Sequence, residues 1–73
     1  MEYKEIKKYV RKNVEITTKT NVIRGFYVQS DLDDNEEGTD LIWYVVLETP
    51  KTDITGEVEL IPISEIKSIE VTE

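Results

Sequence analysis

NVEITTKTNVIRGFYVQSD, residues 13–31, is the stretch that decides the fold, because at Val14 the apolar residues change from a helical to an extended spacing. Val14, Ile16 and Thr18 alternate with Glu15 and Thr17, the period of a half-buried strand. Lys19, Thr20 and Asn21 supply the polar residues of a turn, and VIRGFYVQ, residues 22–29, is a second strand. Gly25 interrupts it. A glycine inside a strand marks a bulge or a tight bend, which a small barrel needs.

On the N-terminal side, residues 2–12 predict an amphipathic helix. Tyr3, Ile6, Tyr9 and Val10 fall on one arc of a helical wheel, and Lys4, Lys7, Lys8, Arg11 and Lys12 fall on the other. Asn13 then provides a residue that tolerates the left-handed backbone closing many helices. On the C-terminal side, DLDDNEEGTD, residues 31–40, has six acids and no base, which predicts an exposed loop. LIWYVVLE, residues 41–48, is apolar enough for a strand buried on both faces. Pro50 and Gly56 bracket a turn region, and EVELI, residues 57–61, alternates again until Pro62, which has no N–H for a ladder. A tight turn through Ser64 leads to KSIEV, residues 67–71, as the last strand. The expectation is a mainly β single domain over 1–73. An N-terminal α-helix, about 2–12, precedes a five-stranded, strongly bent antiparallel small barrel, about 14–72.

Composition narrows the chemistry. Seventy-three residues bury a small core, and chains of this size often lean on disulfides, a metal or a partner subunit. The chain has neither cysteine nor histidine. Disulfides, Cys/His zinc sites, thiol nucleophiles and imidazole acid–base chemistry are thereby excluded, and a closed barrel or oligomerisation remains as reinforcement. Self-association through an edge strand is the expected form. The longest apolar run, residues 41–47, falls far short of the roughly 20 residues that span a bilayer, and the charged N-terminus lacks a signal-peptide core. A soluble, cytoplasmic protein is expected. Its net charge is −7, unevenly spread: residues 1–13 hold five bases against two acids, the remainder four bases against fourteen acids. Such asymmetry speaks to the choice of partner more than to fold.

The order of elements, and the residues within two of them, resemble the Sm-like small barrels of Sm, LSm and Hfq proteins. In residues 13–31, Ile23, Gly25 and Tyr27 share a face of the second strand and Asp31 lies six after Gly25, as in the first Sm motif. In LIPISEIKSIEV, residues 60–71, Ile63, Ile66 and Ile69 recur as in the second motif. The resemblance implies an Sm-like or SH3-like barrel and, through LSm rings, an RNA-binding alternative on the basic helix face. The family's RNA contacts are altered here. Asn35 keeps its spacing from Asp31, but five residues separate it from Leu41, and Pro62 and Ile63 stand in place of an Arg–Gly pair. In character the chain is more similar to the acidic Rof-type inhibitors of the terminator Rho, which also carry a helix before such a barrel. That likeness implies docking on a basic protein surface.

Candidate sites follow. The acidic segment, with Asp31, Asp33, Asp34, Glu36, Glu37 and Asp40, is the partner-binding candidate; Lys4, Lys7, Lys8, Arg11 and Lys12 form the alternative nucleic-acid face. Asp31, Asp33 and Asn35 match positions 1, 3 and 5 of a calcium loop, but Glu36 stands at the glycine position and Ile42 at the final glutamate. No metal or cofactor is expected. Catalysis by paired carboxylates needs a cleft that desolvates one of them, for which so small a domain has little room, so no enzyme is expected either. Phe26, Tyr27, Trp43 and Tyr44 are candidate stacking residues, but acidic or apolar neighbours favour core packing.

Overall fold

The structure, a computed structural model, describes residues 1–49 and 57–72; the predicted turn around Pro50 and Gly56 lies outside the described residues. One α-helical turn, α1 (Tyr3–Ile6), runs into a 3-10 turn (Lys7–Tyr9). Five strands follow: β1 (Asn13–Thr18), β2 (Val22–Asp34), β3 (Leu41–Thr49), β4 (Glu57–Pro62) and, after a 3-10 turn at Ile63–Glu65, β5 (Ile66–Val71). They form one antiparallel sheet in the order β4-β3-β2-β1-β5. The mainly β architecture with a leading helix agrees with the sequence. Closure does not: β4 and β5 are the two edges of an open sheet.

The helix is shorter than the predicted 2–12. A helical segment this short has little stability of its own, so tertiary contacts set its length. Glu2 N–H donates to Glu5 Oε1 at 3.1 Å at the start, and Ile6 is wholly buried. Beyond Tyr9 the backbone turns extended at Val10 (φ −59°, ψ 142°). Arg11 N–H then donates to Tyr27 O at 2.7 Å, and Tyr27 N–H donates to Lys12 O at 3.0 Å. Pairing with β2 wins over another helical turn. The left-handed residue is Arg11 (φ 67°) rather than Asn13, which opens β1 and pairs with Phe26.

β1 alternates as predicted, with Val14, Ile16 and Thr18 buried. Its turn into β2 is tied by Thr18, whose Oγ1 accepts the N–H groups of Asn21 (3.0 Å) and Thr20 (3.3 Å). β2 is the backbone of the sheet. Its first part, Val22–Phe26, pairs with β1, and its second, Phe26–Asp34, pairs with β3, with a register shift between Tyr27 and Gln29. Gly25 sits at this handover, opposite the buried Val14. A Cβ added there would lie 2.5 Å from Glu48 O and 3.0 Å from Leu47 Cγ, so the missing side chain leaves the place that β3 fills.

The core joins Ile6, Val14, Ile16, Tyr27, Val45, Leu47, Ile61, Ile66 and Ile69, with Met1, Tyr3, Tyr9, Ile23 and Ile63 packed around it. A fully buried aliphatic or aromatic side chain is worth about 1.5–3 kcal/mol, so these residues dominate stability. β3 is buried on both faces only at Val45, Val46 and Leu47. Val46 lies outside the core cluster, on the opposite sheet face beside Leu60. The alternation in β4 points Val58 and Leu60 outward, where both are exposed, and Ile61 inward. Among the described residues no helix is long and apolar enough to cross a membrane.

Candidate functional site

The acidic segment was expected to be a loop throughout. Instead Asp31, Asp33 and Asp34 belong to β2, and only residues 35–40 connect it to β3. The physical reason is visible in the residues: Ser30, Leu32 and Asp34 alternate with Asp31 and Asp33, so an extended chain turns Asp31 and Asp33 away from the face that Leu32 shares with Trp43, and leaves Asp34 at the end of that face opposite Leu41. Strand β2 therefore runs past its predicted end at Gln29. β1 pairs with β2 only as far as Phe26, and β4 pairs with β3 only from Tyr44 onward. Leu32–Asp34 and Leu41–Trp43 consequently form a two-stranded arm with no third strand beside it among the described residues.

Isolated two-stranded ribbons are marginal in water, so the arm needs ties. Asn35 closes its tip: its N–H donates to Asp40 O (2.8 Å), its Oδ1 accepts Thr39 N–H (3.0 Å), and its Nδ2 donates to Thr39 Oγ1 (3.1 Å). Gly38 adopts φ +72° there and donates its N–H to Asn35 O at 3.0 Å. At the base, the Tyr44 hydroxyl donates to Asp34 O at 2.8 Å. On the other face, Trp43 is stacked on Tyr3 of α1, with centroids 4.1 Å apart and planes 10° from parallel. Trp43 is thus half-buried beside the core, not within it as the sequence suggested. Of the four aromatic candidates only Tyr27 is fully buried; Phe26 and Tyr44 are half-buried.

Asp33, Asp34, Glu36, Glu37 and Asp40 lie on the arm and its tip, and Asp31 stands at its base opposite Tyr44. Asp31 accepts from Gln29 Nε2 (2.9 Å), and Asp33 Oδ1 accepts Asp34 N–H (2.8 Å). Among the described residues no lysine or arginine pairs with any of them; the ion pair present joins Arg24 Nε to Glu15 Oε2 at 2.6 Å, across β1 and β2. The arm therefore presents uncompensated negative charge to solvent. Among the described residues no group of three or more Asp, Glu, His or Cys side chains is placed to hold an ion. The Asn35 side chain is spent on Thr39.

The basic residues lie in the helical segment that carries Tyr3 and in the turn that follows it. Lys4, Lys7, Lys8, Arg11 and Lys12 are all exposed. Lys8 Nζ sits 5.4 Å from the centre of the Tyr9 ring, and the Arg11 guanidinium carbon 5.4 Å from that of Phe26. The left-handed backbone at Arg11 is what swings this side chain back over β2, and no local pattern in the sequence announces it.

One buried titratable group stands apart from both surfaces. The Tyr27 hydroxyl shares a short hydrogen bond with Ser30 Oγ. Burial pushes its pKa above the ordinary 10.0, against a lowering by Ser30 and with a smaller raising by Tyr3. The ring of this phenol is part of the core. Compared with known proteins, the chain matches no family model, no characterised protein sequence and no solved structure.

Proposed function

We propose that this protein is a non-enzymatic interaction module of Sm-like fold whose acidic arm docks on a basic surface of a partner protein. One observation carries the reading: six carboxylates, without a basic partner among the described residues, are held on and at the base of a ribbon that Asn35, Tyr44 and the Tyr3–Trp43 stack tie in place. Holding like charges together opposes their mutual repulsion, and an opposite charge on a partner relieves it. Fixing the ribbon beforehand also reduces the ordering cost of binding. The helix-then-five-strand order and the resemblance to acidic Rho inhibitors support the same reading, with the cytoplasm as the compartment and an oligomer as the working form.

The test is capture of partners from the native host with two baits, the native chain and a chain with Asp33→Asn, Asp34→Asn, Glu36→Ser and Glu37→Ser. A basic protein retained by the first and lost by the second supports the proposal. A second reading, RNA binding in an LSm-type ring, is favoured by Lys8 and Arg11, each held over an aromatic ring. Under it, both baits retain RNA, and binding falls steeply with salt and fails on substitution of Lys7 and Arg11.

A further inference from the structure

The arm carries more than charge. On the face that bears Trp43 lie Leu32, 50% exposed, and Leu41, 63% exposed. Tyr3 covers Trp43, but neither leucine belongs to the core or to the residues packed around it. An apolar ledge rimmed by carboxylates asks for an occupant that is apolar at its centre and basic at its edge. Such a surface exists on this same chain. Val10 is exposed at the end of the helical segment, and Lys7, Lys8 and Arg11 surround it in sequence without pairing to a carboxylate among the described residues.

The two surfaces are also neighbours, because the Tyr3–Trp43 stack joins the helix to the base of the arm. Adjacent complementary patches suit a two-fold axis: each copy can offer its arm to the other's helix and receive the other's arm in return. We propose that a second copy of this chain occupies the ledge, its basic N-terminal segment seated on Leu32 and Leu41 with lysines against the arm's carboxylates. This rests on the reading of the arm as the docking surface and names its occupant in the isolated protein. Arm against arm is disfavoured, since six carboxylates would face six more.

The test uses charge reversal on the full chain, followed by sedimentation equilibrium. One variant carries Lys7→Glu and Lys8→Glu, the other Glu36→Lys and Glu37→Lys; all four positions are exposed, and circular dichroism checks that both fold. The native chain should dimerise with a dissociation constant of about 10–100 μM, as befits a small interface, and weaken as salt screens the contact. Each variant alone should bind itself about tenfold or more weakly, and an equimolar mixture should recover the native affinity, because acidic helix then meets basic arm. A native chain that stays monomeric, or a dimer that survives in both variants, overturns the proposal. So does a dimer broken only by Val58→Lys and Leu60→Lys, which would place the contact on the edge strand β4. The Lys7→Glu, Lys8→Glu chain keeps its arm, so its binding of oligolysine separates the two claims. If it binds while the native chain is monomeric, this inference fails and the docking role stands; if it does not bind, the docking role fails with it.

Discussion

Gly25→Ala probes the point where β2 passes from β1 to β3. The added Cβ would stand 2.5 Å from Glu48 O and 3.1 Å from Glu48 C, both backbone atoms, and 3.0 Å from Leu47 Cγ. Leu47 is fully buried, so the leucine has nowhere to retreat and β3 must shift as a unit. Crowding of this kind costs about 1–3 kcal/mol, and more where backbone must move. Against it stands a gain of about 0.4–1 kcal/mol from restricting the unfolded chain. The net expectation is a loss of about 1–2 kcal/mol. At about 4–8 °C per kcal/mol for a domain of this size, the melting temperature should fall by about 5–15 °C. Urea unfolding followed by Trp43 fluorescence gives both the midpoint and the slope, and an unchanged slope shows that stability alone has changed. Gly38→Asn is the control. Gly38 is left-handed with open space around it, and asparagine visits that region readily, so the midpoint should hardly move. A Gly25→Ala chain as stable as the native one would refute the close approach of β3 to β2.

Two further outcomes follow from the side chains beside the core. Trp43→Ala should cost about 1–3 kcal/mol, less than the loss of a core aromatic, because the ring is half-buried; a double-mutant cycle with Tyr3→Ala should return a coupling of about 0.5–1.5 kcal/mol, and a coupling of zero would mean the rings do not stack. Tyr27→Phe should cost about 0.5–1.5 kcal/mol at neutral pH by unpairing Ser30. The folded chain holds the Tyr27 proton more tightly than the unfolded one, so the native advantage is full below about pH 10 and declines as pH rises through the raised folded value. Urea midpoints for both chains across alkaline pH should therefore converge, and a constant gap would contradict the raised pKa.

Much of the fold was legible because the sheet's central strands advertise themselves. Val14, Ile16 and Thr18 alternate, Gly25 marks the handover in β2, and Ile66 and Ile69 return to the core. The failures occur where a local signal met a non-local competitor. The helical pattern of residues 2–12 is real, yet β-pairing of Arg11 and Lys12 with Tyr27 ends the helix early. Composition made residues 31–40 a loop, whereas the alternation around Leu32 carried β2 to Asp34; period was the better guide than charge. Its acidic and apolar neighbours put Trp43 in the core, because sequence cannot tell that Tyr3 covers it from the side. The six acidic candidates were identified from composition alone. Their arrangement on a tied ribbon, with Leu32 and Leu41 beside them, depends on where β1 and β4 stop pairing, and no residue pattern states that.

The central claim, that the acidic arm is a docking surface, is tested most directly by association kinetics with the basic protein captured from the host. The native chain is compared with the Asp33→Asn, Asp34→Asn, Glu36→Ser, Glu37→Ser chain at two salt concentrations. Asp33→Asn keeps an oxygen for the Asp34 N–H, and the other three side chains make no hydrogen bond among the described residues, so folding should be unaffected or slightly improved. Steering by clustered charge changes association rates by about ten- to a hundredfold at low salt. The account predicts a loss of that size at about 50 mM salt, shrinking at about 500 mM, where screening already blunts the native arm. Equal rates and equal affinities for the two chains at both concentrations would contradict it and leave the arm a solubilising surface.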